Sequence, residues 1–199
     1  MTAHVPAMTV GTAIEKRRSV RAYKGDPVDR STVEALLAAA VRAPTAVHAE
    51  PWAFVVVQDR EALRRLSDRA KPLFVGEARR VHLDRGGHAL DAFERPDFNV
   101  FYDAGTLIVI GDLSGAPFAA ADCWLAAENL MLTACAMGLG SCVIGSAVAA
   151  LNLPEVKREL EIPEAYSAIA PIIVGVPAHD APGTPRGPPR VLAWRRASP

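Results

Sequence analysis

Little in this 199-residue chain points to disulfide, metal or nucleic-acid chemistry. Cysteine is scarce: Cys123, Cys135 and Cys142 form an odd set without metal-ligand spacing, which reads as reduced thiols of an intracellular protein. Neither sign of charge is in excess, since 22 Lys and Arg balance 22 Asp and Glu, so there is no global basic field of the kind nucleic-acid-binding proteins carry. The histidines are scattered, and no metal is expected. The longest apolar run, "PFAAADCWLAAENLMLTACAMG", is broken by Asp122, Glu128 and Asn129, so it reads as a buried helix and not a membrane span. The N-terminus carries no basic region followed by an unbroken apolar core. What remains is one globular, cytoplasmic domain covering residues 1–199, large enough to bury a core of its own.

Hydrophobic pattern and breakers predict the elements. A short helix is expected over residues 9–18. A second begins at "STVEALLAAAVRAP", where Ser31 and Glu34 form a capping-box pattern and Pro44 stops it. "WAFVVVQ" and "TLIVIGD" read as strands buried on both faces, and "SAIAPIIVGVP" as a third, with Pro171 favouring its start or a sheet edge. Helices are expected at "REALRRLSDRA", from Pro117 to Met137 with Gly138 as its stop, and at "PEVKREL". Residues 72–100 mix Gly, Pro, charge and aromatics without a period and read as a mobile segment, a candidate substrate cover. The Pro/Gly-rich tail, residues 177–199, still carries Val191, Leu192 and Trp194, so it reads as an arm docking on its own domain or on a second subunit. Strands separated by helices give a layered domain of both types of element.

Three segments could carry chemistry. "EKRRSVRAYKG" gathers Lys16, Arg17, Arg18, Arg21 and Lys24 around Ser19; it is either a solvated face or a site for a phosphate-like anion, whose oxygens guanidinium forks match. "GLGSCVIG", residues 138–145, follows a helix and not a strand, so it is no dinucleotide fingerprint; it is a helix cap and turn, or a turn whose backbone N–H groups approach a flat ligand. "RAPTAVHAEPWAF", residues 42–54, places His48 and Glu50 at a spacing of two, either as surface groups or as a paired acid and base. Cys142 has no basic neighbour in sequence and is not expected to act as a nucleophile.

In this order and spacing the segments resemble the nitroreductase family of FMN-dependent oxidoreductases. "RRSVRAY" is similar to its Arg-Arg-Ser-x-Arg motif, "APTAVHAEPWAFVVV" to its Ala-Pro-Ser-x-x-Asn-x-Gln-Pro-Trp-x-Phe segment, "AAENLMLTACAMGLGSCVIG" to its central helix and glycine turn, and "TPRGPP" to a C-terminal Arg-x-Pro element. The resemblance implies an α+β three-layer sandwich, a central, mostly antiparallel sheet flanked by helices, in an intertwined homodimer with FMN at the subunit interface. Arg17, Arg18, Ser19, Arg21 and Arg186 would bind the phosphate and ribityl end. Pro44, Thr45, Ala46 and His48 would lie beside the ring, with Val143, Ile144, Gly145 and Ser146 along its other edge and the Gly145 N–H toward N5. The arm, through Leu192 and Trp194, would cover the partner.

The implied reaction takes hydride from NADH or NADPH onto N5 and passes it, ping-pong, to a nitroaromatic, quinone or similar acceptor. Two positions depart from the motif: His48 stands for Asn and Glu50 for Gln, which makes them the catalytic candidates, for substrate choice or proton supply. The alternatives are dehalogenation, flavin cleavage or a non-catalytic flavin store.

Overall fold

The computed structural model describes residues 8–82 and 90–196. Its centre is a four-stranded sheet of β1 (Trp52–Val57), β2 (Thr106–Asp112), β3 (Gly140–Val143) and β4 (Ser167–Gly175), in the order β1-β2-β4-β3. Every neighbouring pair is antiparallel. Successive side chains of β2 leave opposite faces, as the two-residue period of a strand requires. Leu107 and Val109 join one core with α3 (Arg60–Arg80), α6 (Val148–Leu151) and α7 (Pro154–Glu159); Ile108 and Ile110 join another with α2 (Arg30–Ala40) and α5 (Ala119–Ala136). Helices therefore cover both faces, which is why "TLIVIGD" is apolar without alternation. The expected three-layer sandwich is what the chain forms.

Several expectations change in detail. β1, expected to be buried on both faces, is an edge strand with most residues only half-buried. β4, by contrast, lies inside the sheet with Pro171 at its middle. Pro171 accepts the Ile144 N–H on the side of β3, and a residue's N and C=O point the same way along a strand. Its missing donor thus falls just beyond Val143, the last residue of the β3 ladder, and breaks no bond to β2. β3 itself, four residues after the glycine cap, has no sequence signature beyond that cap.

Ser31 and Glu34 form no capping box. Asp29 caps α2 instead, accepting the Thr32 N–H at 2.9 Å and both neighbouring hydroxyls, while Glu34 pairs with Arg30 at 2.8 Å. The hydrogen bond from the Ser31 hydroxyl above all, and then the two from Thr32, hold the Asp29 carboxyl well below the usual range. α3 runs past its expected end through Pro72, because Leu63, Leu66, Ala70 and Ala78 continue its buried stripe. Residues 72–80 are therefore helix, where the sequence showed no period. Further on, α4 (Asp91–Glu94) and residues 98–102 are tied to α3 by an aromatic series, Phe74–Phe93 at 4.6 Å, Phe93–Phe98 at 5.2 Å and Phe98–Tyr102 at 5.6 Å. Gly86, Gly87 and His88, part of the same expectation, lie outside the described residues.

Candidate functional site

A short helix, α1 (Val10–Lys16), delivers the first charged residues: Thr9 caps its start, and Arg17 is its C-cap. Residues 18–24 then run extended beside the sheet. Ser19 bridges Ser141 in parallel and Tyr23 bridges Pro177 antiparallel. Val20 donates to the Ser141 carbonyl at 3.0 Å, Lys24 to Val176 at 3.0 Å, and Ala178 donates back to Ala22 at 2.9 Å. The approach depends on Gly140, where an added Cβ would fall 2.8 Å from the Cβ of Val20. One glycine of "GLGSCVIG" thus serves packing. Gly138, at φ 78°, ends the helix in a conformation that side chains rarely adopt, and both it and Gly145 have open space where a side chain would be.

These backbone bonds enclose a cavity of about 690 Å³ between residues 14–22 and the start of the arm. Arg17, Arg18, Ser19, Arg21 and Arg186, separated by up to 169 positions in sequence (186 − 17), all line it. Four guanidinium groups face one carboxylate, Glu15, among the lining residues. Local contacts orient them. Arg18 donates to the carbonyls of Glu15 at 2.5 Å and Arg17 at 2.9 Å, groups left without helical partners at the end of α1. Arg17 is within 3.6 Å of Glu128 on α5, and Arg21 lies 5.9 Å from the Tyr102 ring centre. Arm residue Gly183 packs on the Arg18 guanidinium. An arrangement of this kind can bind a dianionic phosphate by several charge-assisted hydrogen bonds.

Behind the cavity, burial pushes the Cys142 thiol up, although Arg21, a hydrogen bond with Ser19 and Arg17 each pull it down. The thiol therefore stays protonated, in line with the expectation that it is no nucleophile. The arginines that reach it are remote in sequence, which the reading by sequence neighbours could not register. No group of described residues could hold a metal ion.

The other expected residues lie elsewhere. Pro44, Thr45, Ala46, His48 and Glu50 do not line the cavity, nor do Val143, Ile144, Gly145 and Ser146. Residues 46–48 form a 3₁₀ turn, and Val47, His48 and Glu50 have φ of 49°, 56° and 43°. The left-handed region is costly for a β-branched residue, and Val47 is 92% exposed there. His48 and Glu50 are exposed, and no hydrogen bond or ion pair joins them among the described residues. The spacing of two does not place them on a strand face, because the backbone between them is not extended. The turn is held from below by Asp122 in the first turn of α5, only 4% exposed, whose two oxygens share the Ala46 N–H at 3.3 Å each. The segment after β3 is nearer the basic residues along the chain: Ser19 bridges Ser141, two positions before Val143, and Gly145–Ala147 form a second 3₁₀ turn with Gly145 exposed.

Sequence reasoning missed three residues. His179 and Thr184 line the basic cavity from the arm, where no periodicity marks them. Asp122 was visible only as a charge interrupting an apolar helix; its position under the 44–50 loop is a tertiary fact.

Comparison with known proteins is consistent with this geometry. The model of the nitroreductase family matches residues 14–176, so the arm lies beyond it. The chain is 30% identical to a protein of Thermus thermophilus named NADH dehydrogenase, over 98% of this chain and all of that one. It is 29% identical to a Cr(VI) reductase of a Pseudomonas strain, covering 88% of this chain and 69% of that protein. A nitroreductase of Bacteroides fragilis, solved with FMN bound, superposes with a TM-score of 0.77 at 27% identity, covering 94% of this chain and 98% of that one.

Proposed function

This chain belongs to the nitroreductase family, and from that premise we propose that it is an FMN-dependent oxidoreductase whose Arg17, Arg18, Ser19, Arg21 and Arg186 hold the flavin phosphate and ribityl chain. The observation that carries the proposal is the convergence of those five residues on one 690 Å³ cavity. The cavity fits a phosphate ester: it offers guanidinium forks and the Ser19 hydroxyl, with a single acidic group among its lining residues. FMN, when bound, supplies the hydride relay between NADH or NADPH and a nitroaromatic, quinone or similar acceptor that takes the donor's place.

The protein's part is binding and orientation. Gly145, exposed after β3 and open where a side chain would stand, would offer its backbone N–H as a fixed dipole to the ring edge. Pro44, Thr45, Ala46 and His48 form the opposite wall, with Asp122 holding the turn in place. His48, exposed as Glu50 is, would donate a proton to the acceptor, which the family's usual amide does not do.

Since the 44–50 loop does not line the basic cavity of its own chain, the site is completed in a homodimer, the loop of one subunit meeting the cavity of the other. Exposed apolar side chains support this. Phe118, Trp124 and Leu125 on and beside α5, Val10 and Ile14 on α1, and Val191, Leu192 and Trp194 of the arm lie uncovered in one copy. The arm, residues 177–199, would dock on the partner.

The test is a visible spectrum of the purified protein, followed by anaerobic addition of NADH and then NADPH. A yellow protein that bleaches supports the reductase. A yellow protein bleached by neither nucleotide turns the reading to a flavin store, and a colourless one that takes up no added FMN ends it.

A further inference from the structure

Of the three arginines on residues 17–21, Arg21 alone has no polar partner. Arg18 donates to two carbonyls at the end of α1 and Arg17 lies within 3.6 Å of Glu128, whereas no hydrogen bond or ion pair holds Arg21 among the described residues. Arg21 is also exposed, and a free arginine side chain gives up much rotamer freedom when a ligand fixes it. What stands beside it is the ring of Tyr102. The guanidinium carbon is 5.9 Å from the ring centre, within the range of a cation–π contact. Tyr102 does not itself line the 690 Å³ cavity that Arg21 lines.

The backbone that carries this ring is fixed from several sides. Tyr102 has φ 52° and Asp103 has φ 55°, in the left-handed region that residues other than glycine rarely adopt. Such backbone persists only where its surroundings over-determine it, and here they do. Tyr102 donates its N–H to the Asn99 carbonyl at 2.9 Å. The Asn99 side chain accepts from the Phe101 N–H and donates to Asp103, each at 2.9 Å. Val100 donates to Ser67 of α3 at 2.9 Å, and Val100, Phe101 and Ser67 are all buried. The Tyr102 ring meets Phe98 edge-on, at 5.6 Å and 82°, at the end of the aromatic series that starts at Phe74. Its hydroxyl makes no hydrogen bond among the described residues, so the contacts that fix Tyr102 act on its backbone and its ring.

We propose that Tyr102 is a positioning residue of the cofactor site: its ring, set by residues 98–104, holds the Arg21 guanidinium ready for the flavin phosphate. This rests on the flavin reading above and assigns a part in it to a residue outside the cavity. A cation held in advance loses less rotamer entropy on binding, so the ring raises affinity without touching the ligand. Arginine suits the arrangement, because its planar group stacks on an aromatic face and still presents N–H groups at its edge.

The test is a double-mutant cycle on the full chain: parent, Tyr102→Leu, Arg21→Ala and the pair, each titrated with FMN and with riboflavin by flavin fluorescence. Tyr102→Leu should raise the Kd for FMN about two- to fivefold, the size of an exposed cation–π contact, and leave that for riboflavin unchanged. In the Arg21→Ala background the same substitution should change neither. Tyr102→Phe keeps the ring and should match the parent. Should Tyr102→Leu fail to fold, Tyr102→Asn takes its place in the cycle, since asparagine tolerates left-handed backbone. A loss that persists without Arg21, or that riboflavin shares, makes Tyr102 a structural residue and overturns the proposal while the flavin site stands. An unchanged Kd for FMN on removing the ring overturns it equally, as does a Tyr102→Phe variant that loses FMN. A parent chain that binds neither flavin overturns both readings.

Discussion

Two parts of this molecule, the basic cavity and the 44–50 loop, are built on opposite plans. The cavity is made of charged side chains on an extended segment and an irregular arm, stitched to the sheet by a few backbone hydrogen bonds. The loop is made of backbone in a strained conformation, held by a single buried carboxylate. Charge recognises a phosphate over several ångströms and tolerates an irregular scaffold. Placing a flat ring needs a rigid backbone, and rigidity here comes at the cost of left-handed φ at Val47, His48 and Glu50. Substitutions in the two regions should therefore fail in different ways.

The largest effect is expected at Arg17. Arg17→Ala removes a cation and leaves Glu128 without its partner, so FMN affinity should drop by about 2–3 kcal/mol, while riboflavin, without a phosphate, loses far less. Equal losses for the two ligands in a fluorescence titration would mean that Arg17 does not read the phosphate. Asp122→Ala should lower stability by about 1–3 kcal/mol and reduce kcat with little change in phosphate recognition, because it frees the turn and strands the Ala46 N–H. Asp122→Asn keeps an acceptor and should recover most of both. If the alanine variant weakened FMN and riboflavin no more than the parent and left kcat intact, the loop would have no part in the site.

Asp112 offers a smaller effect with a defined pH sign. Burial works against its charge, but the Ser114 hydroxyl at 2.6 Å and the N–H groups of Ser114 at 2.8 Å and Gly115 at 2.7 Å outweigh it and hold the carboxyl below its ordinary value. A depressed folded-state pKa stabilises above the unfolded value near 3.9, and that stability is lost as pH falls through the folded value. Asp112→Asn should thus cost about 1 kcal/mol at pH 7 in urea unfolding, and the gap to the parent should close on acidification below pH 4. A gap that widens in acid would reverse this account. The smallest structural effect is expected at His48. His48→Asn, at an exposed position, should change stability by less than about 0.5 kcal/mol yet alter the pH profile of acceptor reduction. An unchanged profile removes His48 from the chemistry and leaves it a wall of the site.

The comparison also separates what could be read in advance from what could not. The arginine cluster was legible because five like charges around a serine in a neutral chain have few explanations, and the structure gathers its three arginines, though neither lysine, with Arg186 at one cavity. The buried strands were legible where apolar β-branched runs have no alternation, as in β2. The same run misled for β1, because an apolar, β-branched run reads alike in a central strand and in an edge strand. Pro171 misled because the rule against proline inside a sheet concerns a lost ladder bond, and the neighbouring strand ends before that bond is needed.

The sequence by itself determined the elements, the apolar faces and the kind of ligand that its cations suit, since these follow from residue chemistry and local period. Only the tertiary structure decided that His179 joins the arginines at one cavity, that Asp122 supports the Ala46 turn, and that Gly140 makes room for Val20 while Gly145 stays open. Those relations join residues far apart in the chain, through backbone pairing and close packing that no window of sequence contains.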